Sequence, residues 1–133
     1  MSGEMDLLTL LRHMEPRLDA VPYGYGLMPV GTEVPVGIDT FAVIMEAEGV
    51  TVVAVADVLE RAGIVYDGQW ARISLTVHSD LAAVGLTAAI AAALARDGIS
   101  ANVVAGYFHD HVFVQWDRRA AAMEALRAMT LAV

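Results

Sequence analysis

Residues 107 to 113, "YFHDHVF", place two histidines on either side of an aspartate. On a regular strand, His109 and His111 would point to one side and offer two metal ligands. A third would have to come from His78 or Asp80. A zinc site usually takes three or four protein ligands of matched geometry, and the chain has no second ligand pair. Asp110 is also a good turn residue, because its carboxylate bonds nearby backbone N–H groups. The stretch therefore reads as a hairpin tip flanked by histidines, with a His109/His111 metal pair as the alternative. An enzyme would draw on His78, His109, Asp110 and His111 together.

The second stretch able to do chemistry is "HSDLAAVG", His78 to Gly85. Free N–H groups at a helix start accept a carboxylate, and Ser79 adds a donor beside them. Asp80 is suited to an ammonium, and Gly85 lets another backbone come close. Ser79 or Asp80 could equally do no more than cap the helix. In "GISAN", the amide of Asn102 both donates and accepts. It could hold a ligand that both donates and accepts, or be an ordinary polar residue on a wet strand.

No nucleophile–base pair emerges. His78 and Ser79 are neighbours, and neighbours on a strand point apart. There is no GxSxG and no phosphate loop, and "YGYG" at 23 to 26 lacks the context of a dinucleotide fingerprint. The expectation is a non-catalytic protein without a cofactor.

The elements that must position these residues follow from periodicity. Asp6 to Met14 reads as a short helix ended by Pro16. Tyr23 to Leu27 allows one strand. Phe41–Ala47 and Thr51–Ala56 form a hairpin about Glu48-Gly49. "DVLERAG" is a helix with Asp57 and Glu60 as a capping box and Gly63 as its stop. "ARISLTVH" alternates strictly, with Ala71, Ile73, Leu75 and Val77 on one face. A helix is expected over Leu81–Asp97, then strands in "ISANVVAGYF" and "HVFVQW". A last helix, Arg118–Met129, would be capped by Asp117, and "LAV" would supply a closing strand. Arg118 and Arg119 sit in that helix's first turn, where the helix dipole disfavours cations. The plan is α+β, a ferredoxin-like βαββαβ sandwich with antiparallel sheets.

Composition narrows the classes. In 133 residues the apolar fraction is 57%, enough for a real core. The net charge is −8, and all eight cations are Arg. Such a surface repels phosphate backbones and anionic lipid, so nucleic acid and membrane are not expected partners. The absence of Cys excludes disulfides and thiolate chemistry. The start, "MSGEMDLLTLLRHMEP", lacks the basic head of a signal peptide, and the expected location is cytoplasmic.

Over residues 70 to 130 the chain resembles the ACT domains, regulatory modules that bind amino acids. The resemblance rests on a strand running into "HSDLAAVG", a helix ending in "DGISAN", and the hairpin "HDHVFV". It extends to small stand-alone bacterial proteins with two ACT-like halves. The chain is also similar to the paired ACT domains of aspartate kinases and to the CASTOR arginine sensors. The implied halves are a degenerate one at 1–66, resting on "FAVIMEAEGVTVVA", and a clearer one at 67–133. The resemblance implies an amino acid held between ACT halves, with His78, Ser79, Asp80, Leu81, Val84, Gly85, Ile99, Ser100 and Asn102 as contacts; an interaction scaffold with a vestigial pocket is an alternative. It places an effector-binding Asn at Asn102. A homodimer is expected, since one small layer pair leaves apolar surface.

Overall fold

The computed structural model describes residue 3 and residues 5–133, so Met1, Ser2 and Glu4 of the acidic start lie outside the described residues. The chain forms two compact units, one of residues up to Asp19 with Ala71–Val133, the other of Ala20–Trp70.

The larger unit opens with helix α1, Leu7–Arg12, whose N-terminus is closed by the Asp6 carboxylate accepting from the Thr9 amide at 3.0 Å. Strand β1, Pro16–Leu18, follows. The second half of strand β5, Tyr66–Leu75, then begins the expected plan. Helix α3 spans Leu86–Arg96, strand β6 Asn102–Ala105, strand β7 Asp110–Gln115 and helix α4 Arg119–Leu131. The sheet order is β1-β5-β7-β6, with β6 at the edge.

The alternation in "ARISLTVH" is realised. Ala71, Ile73 and Leu75 are fully buried and pack with Leu10, Met14, Ile90, Leu94, Val112, Val114 and Leu126. Helices α1, α3 and α4 thus cover one face of this sheet, while Arg72, Ser74 and His111 lie on the other.

Two expected elements take another form. Residues 131 to 133 make no strand; the edge beside β5 is filled by β1, paired antiparallel as Pro16↔Leu75 and Leu18↔Ile73. The ACT-like division by sequence at 66/67 and the division in space therefore differ, because α1 and β1 complete the unit built by the second half. Helix α3 begins at Leu86, five residues later than expected. Leu81 and Val84 are well exposed, so the apolar run was not one buried face.

The last helix is also not capped by Asp117. A 3₁₀ turn, Trp116–Arg118, precedes it, so Arg118 sits at the N-cap position and Arg119 is the first helical residue, and both side chains turn away from the helix axis to partners of their own. The Arg119 guanidinium stacks 4.0 Å from the Trp116 ring centre. Arg118 donates to the Asp97 carbonyl, just past α3, at 3.0 Å. The cations thus find partners outside their own helix dipole.

The smaller unit has strands β2, Tyr23–Met28, β3, Ala42–Met45, and β4, Val50–Val55, with the first half of β5. Their order is β3-β4-β2-β5. Helix α2, Ala56–Arg61, covers a core of Val50, Val52, Ala54, Leu59 and Ile64. "YGYG" is strand, and its glycines face this helix. A Cβ on Gly24 would lie 2.7 Å from the Tyr66 ring, and one on Gly26 2.8 Å from Ile64. The capping box does not form: α2 starts at Ala56 with no side-chain cap. Asp57 pairs with Arg61 instead, and Glu60 accepts from the Tyr66 hydroxyl at 2.9 Å. Trp70 packs edge-on against Tyr25.

Candidate functional site

Strand alternation dissolves the "HDH" cluster. Asp110 is the first residue of β7, paired with Ala105, and shares the helix-covered face with Val112 and Val114. It is buried, and the Ser79 hydroxyl donates to its Oδ2 at 3.3 Å. His109 and His111 lie on the opposite side, and the His78 ring lies tilted against Phe108 with ring centres 5.5 Å apart. Asp110 is therefore not at the hairpin tip. The tip is Tyr107-Phe108, closed by the Gly106 amide donating to the His109 carbonyl at 2.8 Å. Among the described residues no three His, Asp or Glu side chains gather as a metal site would need. Of the four residues an enzyme would have shared, His109 and His111 line one cleft, while Asp110 is buried on the other face and His78 lines a different cleft.

The loop from His78 to Gly85 is built by its own hydrogen bonds. Asp80 Oδ1 accepts from the Ala82 amide at 2.8 Å, and the Asp80 carbonyl from the Ala83 amide at 2.9 Å. Asp80 thus shapes a turn before the helix and does not cap it. Gly85 precedes α3 at φ +101°, a conformation L side chains rarely adopt, and no side chain caps the helix. The first amides of α3 at the exposed Thr87 and Ala88 have no intrahelical acceptor.

A cleft of about 120 Å³ opens beside this loop, lined by Gly3, His78, Asp80, Leu81 and Tyr107. At ~30 Å³ per water it holds about four. Ser79 lies beneath it, turned toward Asp110. Of the other expected contacts, Leu81 and Val84 are exposed at the surface. The Ile99 side chain is buried in the helix-side core. Ser100 is exposed before β6, and Asn102 starts that strand, opposite Phe113. The loop meets the other end of the hairpin, where Ala105 pairs with Asp110. One chain therefore gathers His78, Asp80 and Leu81, and leaves Asn102 at the far end of an edge strand.

Residues 2–71 and 65–128 each match a family described as an ACT domain. A Vibrio cholerae protein of unknown function, described as a possible transport protein, is 41% identical. The match covers 93% of this chain and 95% of that one, with a TM-score of 0.82. The chain belongs to the ACT-domain family. Its ferredoxin-like fold recurs in the ligand-free regulatory subunit of aspartate kinase from Thermus thermophilus. That subunit is 15% identical, with a TM-score of 0.62 over 86% of this chain and 95% of that one. An Agrobacterium tumefaciens protein is 17% identical, with a TM-score of 0.70 over 83% and 84% of the two chains. No curated protein matches this ACT chain. No helix among its described residues is long and apolar enough to cross a membrane.

A polar group that motif reasoning passed over sits on the helix-free face of the larger unit. Ser74 Oγ lies 3.0 Å from His111 Nδ1, and Arg72 Nε and Nη2 approach the same atom at 3.4 and 3.3 Å. A guanidinium only donates, so Nδ1 accepts and His111 is neutral. Burial, then the Arg72 charge and His109, pull its pKa down from 6.5 to about 4; Asp19 opposes them. Asp19 Oδ2 is 3.7 Å from Arg72 Nη1. The signal available in the sequence was the outward set of β5, Arg72, Ser74 and Thr76, which alternates with the buried Ala71, Ile73 and Leu75.

Proposed function

We propose that this ACT protein is a non-catalytic regulator that binds a small amino acid at the loop from His78 to Gly85. The observation that carries the reading is the start of α3, where no side chain occupies the N-terminal amides. An α-carboxylate suits those amides, and the Asp80 oxygen not bonded to Ala82 suits the ammonium. Ser79 supports the site from below through Asp110. His78 and Tyr107 flank the ligand.

The cleft is far smaller than the ~300–1,000 Å³ of ordinary small-molecule sites. It suits the polar end of an amino acid and leaves the rest to be enclosed. Asn102, at the start of the edge strand β6, and Ser100, just before it, supply that enclosure from a second copy of the chain. The working form is a cytoplasmic homodimer, and the ligand acts by favouring one arrangement of it. The acidic chain favours a zwitterionic or cationic amino acid over a polyanion.

A thermal-shift screen against the twenty amino acids, with and without divalent metals, tests this. An amino acid alone raises the melting temperature, and Asp80→Asn abolishes the rise. No rise with any amino acid overturns the proposal. So does a rise seen only with Zn²⁺ or Ni²⁺ and lost in His109→Ala.

A further inference from the structure

We infer that the helix-free face of the larger unit carries a second site, for a small organic carboxylate. The cleft there is lined by Arg17, Asp19, Arg72, Ser74, Thr76 and His109, with His111 in its wall. It measures about 300 Å³, against about 120 Å³ at the loop. That is room for roughly ten waters at ~30 Å³ each, and the lower end of the range for small-molecule sites.

The charges in the cleft run against the chain. The protein carries −8 overall, yet two guanidinium groups face one carboxylate here. Arg72 is held by Asp19 at 3.7 Å and leans on the neutral His111 ring. Arg17 is exposed and makes no ion pair with any described residue. The local excess is one positive charge, which suits one carboxylate better than a phosphate dianion, since Asp19 repels the second charge. A guanidinium and a carboxylate match as two parallel hydrogen bonds.

The remaining groups select for a polar neighbour. His109 Nδ1 donates to the Val77 carbonyl at 3.3 Å, which leaves Nε2 to accept in the neutral ring. A hydroxyl beside the carboxylate satisfies that acceptor. The Ser74 and Thr76 hydroxyls are already engaged, with His111 and with the Glu15 carbonyl. The site stands apart from the loop: it lies on the opposite face from Asp110 and shares none of the loop cleft's lining residues.

The test is an NMR titration of the full-length protein with L-lactate, following the ring signals of His109 and His111. Both move saturably, while the Ala82 amide of the loop does not. Arg17→Gln, at an exposed position, weakens binding by about tenfold, the loss of a bidentate ion pair. Arg127→Gln, the same charge change on α4, leaves it unaltered. Three results each overturn the inference: no saturable shift, equal binding by Arg17→Gln, or inorganic phosphate binding as tightly as lactate.

Discussion

Ser79 and Asp110, thirty-one residues apart, meet where loop and hairpin join: the hydroxyl donates to a buried carboxyl at 3.3 Å. That contact fixes the loop of the proposed site to β7. Ser79→Ala removes the hydroxyl partner of a buried polar group, which costs about 1–2 kcal/mol. Urea denaturation checks the value. A double-mutant cycle with Asp110→Asn gives a coupling near zero if the two do not interact.

Stability falls as pH drops from 6.5 toward 4. His111 titrates at about 4 in the folded chain against an ordinary 6.5. Between those values the unfolded chain binds the extra proton and the folded one does not, so acid favours unfolding. Melting temperatures measured across this window decline for the native chain. His111→Gln removes part of that slope; an unchanged slope means the ring does not carry it.

Gly85→Ala destabilises by about 1–3 kcal/mol, the cost of an L residue in a disfavoured backbone region. The new Cβ would also lie 3.2 Å from Leu7 of α1. A chemical melt measures the loss. If the variant melts like the parent, the loop before α3 does not need the φ of +101°.

A fragment of residues 67–133 does not fold alone, because α1 and β1 complete its sheet and core. Adding a peptide of residues 1–19 restores helical circular dichroism. A fragment that melts cooperatively without the peptide refutes this.

Most of the larger unit was legible because its physics is local. The alternation in "ARISLTVH" carries one buried face, and the Gly that follows Asp97 marks where α3 stops. Other features were hidden by geometry that spacing does not encode. A short strand such as Pro16–Leu18 has no period to detect, and its pairing with β5 spans more than fifty residues. Leu81 and Val84 read as helix because they are apolar, yet both are exposed. "HDH" read as a hairpin tip, but the tip is Tyr107-Phe108, and alternation sends Asp110 inward and the histidines to the other face. Asp57 and Glu60 had capping-box spacing, but α2 begins one residue before Asp57. The cleft of Arg17, Arg72 and His111 joins three segments that are distant in sequence, and no local motif announces it.

The seat of β1 beside β5 also sets an order of events at the ribosome. Residues 5–19 are made before residues 71–133, among which they come to rest. Until then the apolar side of α1 has nothing to rest on, and a nascent chain in that condition is prone to aggregate. The middle unit, Ala20–Trp70, is contiguous and can mature while the remainder is still being synthesised. Synthesis rate, as much as sequence, thus bears on how much of this protein a cell recovers in working form.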